Sequence, residues 1–177
     1  MPKLEQGLVQ IYTGNGKGKT TAALGQTVRA LGQGFTVYII QFMKGRGNYG
    51  ELTTLQRLAP QCRVEHYGGP GWVKKGQGSP EDYAEAEKAL ARAREVMTSG
   101  EWDVVILDEV VNAIGFELLP EEKVLDLIDQ KPDQVELILT GRNASATLQS
   151  RADLVTESVA VKHPYEKGIG ARRGIEY

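Results

Sequence analysis

The sequence predicts an α/β fold, a mostly parallel sheet with helices on both faces, and three observations carry that reading. Short β-rich runs alternate along the chain with helical stretches. The runs Thr36 to Phe42 and Val104 to Leu107 are apolar almost throughout, as strands covered on both faces are. Glycine supplies 21 of 177 residues, about 12% where about 7% is usual, so turns and close backbone approaches are frequent.

The elements follow in order. Leu8 to Thr13 is a first strand, and Lys19 to Leu31 is a helix stopped by Gly32. Thr36 to Phe42 is the second strand. A glycine-rich loop from Lys44 to Gly50 and a short helix precede the strand Arg63 to Tyr67, after which comes a second flexible stretch, Gly68 to Gly78. Ser79-Pro80-Glu81-Asp82 starts the next helix: Ser79 suits the N-cap, Pro80 the first helical position, and the acids meet the positive end of the helix dipole. Gly100 ends it. Within that helix Tyr83, Ala86, Leu90, Ala93 and Met97 share one face, and Glu85, Lys88, Arg92 and Glu95 occupy the other as solvated charges. Val104 to Leu107 is a central strand, Pro120 to Gln130 a helix, Val135 to Thr140 another strand and Leu154 to Val161 the last. With no repeat, linker or low-complexity tract, residues 1–177 are expected to form one domain.

Composition excludes several classes. Lys plus Arg total 21 against 23 Asp plus Glu, a formal charge of −2, so no global positive field attracts a polyanion and nucleic acid is not the expected partner. A hydrophobic fraction of 41% beside 25% charged residues is enough to build a core. Cys62 stands alone, which leaves no internal disulfide or thiolate zinc cluster and fits the reducing cytoplasm. The apolar runs fall far short of the roughly 18 residues that span a bilayer, and Met1 to Gln6 carries an acid and no apolar core of a secretory signal.

The strongest chemical signal follows the first strand: Thr13-Gly14-Asn15-Gly16-Lys17-Gly18-Lys19-Thr20-Thr21, nearly a Walker A loop. Glycines let successive N–H groups converge on phosphate oxygens, and the following helix adds its positive end. Lys19 supplies a point charge, and Thr20 can place its hydroxyl on Mg2+. Thr13 departs from the strict pattern, which has Gly there. The dinucleotide fingerprint is disfavoured, because Gly14, Gly16 and Gly18 are spaced G-x-G-x-G and the motif lysine has no role in that mode. ATP or GTP is the expected ligand.

Val104-Val105-Ile106-Leu107-Asp108-Glu109 delivers two acids at the carboxyl end of an apolar strand, the edge at which open α/β sheets bind ligands. Asp108 or Glu109 is the metal partner, with no residue-level reason to choose between them. Thr140-Gly141-Arg142-Asn143 reaches the same edge, where Arg142 either meets a phosphate or caps a surface loop. The tail from Lys162 to Tyr177 is too glycine-rich and too mixed for a helix, and reads as a solvated terminus, with a basic flap over bound anion as the alternative.

Taken together, the residues resemble the ATP:corrinoid adenosyltransferases of the P-loop type. The likeness rests on Thr13 to Ala23, Gln41-Phe42-Met43-Lys44-Gly45, Gly50-Glu51, Leu107-Asp108-Glu109, Leu139-Thr140-Gly141-Arg142, Val161-Lys162-His163 and Gly174-Ile175-Glu176-Tyr177. It implies a RecA-like P-loop fold, a homodimer, and transfer of the 5′-deoxyadenosyl group of ATP to cobalt with release of tripolyphosphate. It also implies that ATP is held in reverse, so that the 5′ carbon is exposed to the cobalt(I) nucleophile and no general base is needed. On this likeness Gly14, Asn15, Gly16, Lys17, Gly18, Lys19, Thr20, Thr21 and Arg142 contact ATP, Lys19, Thr20 and Glu109 serve catalysis, and Thr20 and Glu109 hold Mg2+. The corrinoid falls to Phe42, Met43 and Trp72, and the electron to a donor such as a reduced flavoprotein.

A corrinoid is a large disc that needs a wide groove with flexible walls, and the loop Gly68 to Gly78 fits that need. Trp72 matches an aromatic that the family uses to displace the lower axial ligand, whereas Pro70 stands where the best-known pattern has a second aromatic. Trp72 as a core or dimer-contact residue is the competing reading. His66 lacks the acid two residues earlier that a cobalamin-binding histidine motif requires, since Val64 stands there, so His66 and His163 are expected in strand-end or packing roles. The stretch before Leu8 is shorter than the family's N-terminal lid, so either the lid is absent or another loop covers the site. A P-loop ATPase or kinase, and a nucleotide-gated corrinoid-binding protein, are the rival functions.

Overall fold

A computed structural model describes residues 3–45, 49–69, 71 and 73–177. Its single sheet has the strand order β3-β2-β4-β5-β1-β6, every pair parallel. The strands are β1 (Val9–Thr13), β2 (Val37–Gln41), β3 (Cys62–His66), β4 (Val104–Asp108), β5 (Glu136–Thr140) and β6 (Leu154–Glu157). The helices are α1 (Lys19–Gly32), α2 (Gly50–Gln56), α3 (Pro80–Thr98), α4 (Val110–Gly115), α5 (Glu121–Asp129) and α6 (Ala146–Ser150), with a 3-10 turn at Pro164–Lys167.

The apolar runs explain the layering. Every residue of β2 and of β4 is buried, because helices cover both faces of the sheet. On one face Ala23 and Ala30 of α1 pack with Val37, Ile39, Val104, Ile106 and Ile138. On the other, Ala89, Leu90, Ala93 and Met97 of α3 join Tyr38, Ile40, Leu107, Val111 and Leu127. The expected capping box is present at Ser79, whose side chain accepts from the Asp82 N–H while the Asp82 carboxylate accepts from the Ser79 N–H.

Three expectations are corrected. Tyr83 is 38% exposed, because it sits in the first turn of α3, beyond the edge of the core that Ala86 begins. Arg92 is not a solvated charge: its guanidinium donates to the Tyr38 hydroxyl at 2.8 Å and to Glu65 at 3.2 Å, and lies over the Tyr38 ring. The last strand stops at Glu157 rather than Val161, since Ser158 turns to meet the phosphate loop.

The helices α4 and α6 are additions to the sequence reading. The first is only 6 residues long and follows Glu109, an N-cap with φ of 66 and no side-chain capping bond. The second is 5 residues long, and its Ser145 side chain accepts from the Leu148 N–H.

Candidate functional site

Parallel pairing brings the carboxyl ends of β1, β2, β4 and β5 to one edge of the sheet, and there the shared direction of the strands gathers the predicted residues. A cavity of about 340 Å3 lies along residues 15–21 and is closed by Glu109, Asn112, Arg142, His163, Ile175 and Glu176. A larger cavity of about 730 Å3 continues from Thr20 and Thr21 past Leu24, Lys44, Tyr49, Glu51 and Tyr177. Glu109, Arg142, Ile175 and Glu176 line both.

The loop owes its glycines to its back wall. The Gly16 N–H donates to the Ser158 carbonyl at 2.6 Å, and a Cβ on Gly14 or Gly16 would lie 2.5 Å or 2.8 Å from that same oxygen. No side chain fits at either position. Thr13, which replaces the usual first glycine, has a structural reason: it is buried, and its hydroxyl accepts from the Ala144 N–H at 3.0 Å, tying the phosphate loop to the segment after β5.

Lys19 is buried, and its ammonium donates to the carbonyls of Gly14 at 2.8 Å and Gly16 at 2.7 Å, inside the curl of the loop. Burial, then the nearby Arg142 guanidinium, hold its proton affinity below that of an ordinary lysine. An anion entering the loop would relieve both penalties. Asn15 and Lys17 are exposed at the mouth, and the N-terminus of the 14-residue α1 points into the cavity through Thr20 and Thr21.

The two acids separate into different environments. Asp108 is 1% exposed and has all its acceptor directions occupied. Its Oδ1 accepts from Thr20 at 2.8 Å and Thr140 at 2.7 Å, and its Oδ2 from Lys44 at 2.7 Å and Gln41 at 3.2 Å. Glu109 lines both cavities, with Oε2 accepting from the Asn112 amide. Burial, then the negative charge of Asp108, raise its proton affinity against the opposing pull of Lys44, Lys19 and Arg142. An acid so placed gains by meeting a cation.

Arg142 reaches the cavity, held by its backbone N–H donating to Asn112 Oδ1 at 2.7 Å. Among the described residues no group of three or more His, Cys, Asp or Glu side chains is arranged to hold a metal alone. The donors that do face the cavity, the Thr20 hydroxyl and the Glu109 carboxylate, suit a hard cation that arrives with phosphate oxygens.

Phe42 corrects an expectation: it is fully buried in the core at the end of β2 and presents nothing to a ligand. Met43 is half-buried beside Gly68, Gly69 and Leu118, at the root of the loop after β3. Trp72 and Pro70 lie outside the described residues.

Sequence reasoning assigned no site role to three participants. Lys44 and Asn112 both follow strand ends at the right edge, a signal present in the sequence but outranked by the glycine loop. His163 lines the phosphate cavity rather than packing at a strand end. The segment Gly174–Tyr177 folds back over the same opening, the arrangement of the flap given as the alternative to a solvated terminus.

Such a site on such a sheet defines a P-loop nucleotide-binding protein. The crystal structure of the flagellar accessory protein FlaH from Methanocaldococcus jannaschii shares the fold, with a TM-score of 0.58 at 13% identity, covering 87% of this chain and 72% of that one. The RecA-like reading of the architecture stands on that likeness and on the all-parallel sheet.

The chain belongs to the ATP:corrinoid adenosyltransferase family BtuR/CobO/CobP, whose model matches residues 5–177. The corrinoid adenosyltransferase of Escherichia coli strain K12 is 34% identical over 173 residues, 98% of this chain and 87% of that protein. That of Pseudomonas aeruginosa is 35% identical over 173 residues, 98% and 85% respectively. Corrinoid adenosyltransferase CobA of Salmonella typhimurium is 33% identical over the same length, 98% and 87%. The chain is therefore an enzyme of this family, with ATP and a corrinoid as its substrates.

Proposed function

We propose that this chain attaches the 5′-deoxyadenosyl group of ATP to the cobalt(I) centre of a corrinoid and releases tripolyphosphate, within one domain spanning residues 1–177. The observation that carries the proposal is the pairing of a small anion cavity at residues 15–21 with a wider one that continues from it past Lys44 and Tyr49. One suits the polyphosphate. The other gives the reacting carbon room to meet a large partner.

In the step itself the cobalt(I) lone pair forms the Co–C5′ bond, the C5′–O bond breaks, and its electrons leave with the polyphosphate, so that cobalt ends formally two units more oxidised. The chain's contribution is to hold the leaving group. The backbone of Lys17 to Thr21 and the α1 N-terminus surround it, while the Gly16 N–H stays on Ser158 behind the loop, and Lys19 leaves its carbonyl partners for a phosphate oxygen. Arg142 adds a second positive group, and His163 and Glu176 bound the opening. Thr20 and Glu109 would hold Mg2+, which supplies charge neutralisation for the departing polyphosphate. Asp108 is a positioning residue rather than a ligand, since its oxygens are occupied by Thr20, Thr140, Lys44 and Gln41.

Met43, together with Trp72, forms the corrinoid side, and the electron comes from a partner such as a reduced flavoprotein. No helix among the described residues is long and apolar enough to cross a membrane. A cytoplasmic location agrees with Cys62, a buried free thiol. The outer edge of β6, with Leu154 and Val155 at 42% and 40% exposed, supports a homodimer.

Protein mixed with MgATP and chemically reduced corrinoid should yield adenosylated corrinoid and tripolyphosphate in equal amounts. Orthophosphate or ADP without alkylation of the corrinoid overturns the reading in favour of a P-loop ATPase or kinase. Tight corrinoid binding with no product in a single turnover points instead to a delivery protein.

A further inference from the structure

The proposed reaction needs two substrates aligned, and Lys44 meets the framework of one through its side chain and that of the other through its backbone. We infer that Lys44 is a positioning residue for adenosyl transfer, acting through Asp108 on the nucleotide side and through its own backbone on the loop after β3. The inference rests on the functional reading above.

The nucleotide side follows from charge. Asp108 is a buried carboxylate, and of its four donors only Lys44 is charged. Lys44, 2.7 Å from Asp108 Oδ2, is the contact that fixes where this buried carboxylate sits, and its removal would leave the group without a charged partner. Held in that place, Asp108 Oδ1 accepts a hydrogen bond of 2.8 Å from the Thr20 hydroxyl, which leaves the lone pairs of that oxygen turned away from the strand, where a cation can use them. Lys44 thereby sets the direction of a ligand it does not touch.

Its ammonium is itself fixed. The side chain is 11% exposed, lies 3.7 Å from Glu51, and sits 4.8 Å from the centre of the Tyr49 ring. Burial opposes the charge, and Asp108, Glu51 and Glu109 together outweigh it, raising the lysine's proton affinity above the ordinary value.

The corrinoid side follows from backbone contact. The Lys44 N–H donates to the Tyr67 carbonyl at 2.8 Å, at the last residue before the loop that carries Trp72. The next residue, Gly45, lies so close to Gly68 that a Cβ would fall 1.9 Å from the Gly68 carbonyl oxygen. The β2 exit and the β3 exit are thus joined at Lys44. A stabilising role alone would not require this arrangement, since apolar residues commonly replace buried ion pairs without loss of stability.

The test is a double-mutant cycle on the full chain with Lys44→Met, Asp108→Asn and the pair, plus Lys44→Arg. MgATP affinity is read by calorimetry, transfer by single turnover with chemically reduced corrinoid at saturating MgATP, and folding by thermal unfolding. Lys44→Met is expected to weaken MgATP about 10-fold and slow transfer about 30-fold or more, with no added loss when Asp108 is already Asn. Lys44→Arg should return both within about 3-fold, because a guanidinium can reach the same carboxylate.

Losses that multiply in the double variant, or a Lys44→Met protein with native affinity and rate, overturn the inference. If Lys44→Met does not fold, Lys44→Gln takes its place in the same cycle. If the unaltered protein transfers nothing, the proposed reaction fails, and the MgATP arm still decides the role of Lys44 by itself.

Discussion

The phosphate end of the site and its loop end are held together by different means. At the phosphate end side-chain hydrogen bonds, Thr13 to Ala144 and Thr20 and Thr140 to Asp108, reinforce the backbone bond from Gly16 to Ser158. At the loop end the closest join is backbone against backbone, Gly45 on Gly68 and Lys44 on Tyr67. The difference follows from the ligands. A polyphosphate has one shape and one sign, and a fixed nest of donors suits it. A corrinoid is wide, and a wall that bends at its roots can admit it.

Substitutions can break or sharpen this contrast. Lys19→Ala should cost most: MgATP affinity and transfer both fall, by about 100-fold or more, because a charge-assisted contact to buried phosphates is removed. Calorimetry and single-turnover assays check it, and native values for both would dissolve the phosphate end as described.

Gly45→Ala comes next. The new Cβ must push the two loops apart, so transfer should slow by about 10-fold while MgATP affinity stays within about 2-fold. An equal loss in both would mean that the two ends are one rigid unit. Trp72→Ala should leave MgATP affinity nearly intact and slow the reaction from cobalt(II) corrinoid more than from pre-reduced cobalt(I). Equal slowing from both would return Trp72 to a packing role.

Smaller effects lie beneath the loop end. Tyr38, Tyr67 and Arg92 all donate to Glu65, at the edge of the sheet from which the loop after β3 departs. Arg92→Ala should lower stability by about 1 kcal/mol in urea titration, with the loss confined to unfolding and absent from MgATP binding. Cys62 should give the smallest signal. Burial pushes its thiol up to about 11, against 9.0 for a free one, so the folded protein retains a proton that the unfolded chain releases. Stability linked to Cys62 is complete below pH 9 and is lost as the pH rises toward 11. Alkylation at pH 8 should be slow until denaturant is added.

Much of the phosphate end was legible because it is written contiguously. Thr13 to Thr21 encodes strand exit, loop and helix start in nine successive letters, and Asp108 and Glu109 close an unmistakable apolar strand. What stayed hidden depends on distance. Nothing local distinguishes Asp108, which takes a hydrogen bond from Thr20 at a separation of 88 residues, from Glu109, which faces the cavity. Nothing local places Ile175 beside Thr21. Phe42 misled for the opposite reason: it lies within a motif block whose neighbours line the site, but strand alternation sends its own side chain into the core.

Ser158 has a consequence for how much of the chain is dispensable. It forms the rear of the phosphate nest, and it hangs from β6, the outermost strand of the sheet, all four residues of which are exposed. A cut made just ahead of Leu154 would leave the Walker-type sequence complete yet deprive it of its support, so nucleotide recognition in this protein is underwritten by a strand that follows the loop by well over a hundred residues.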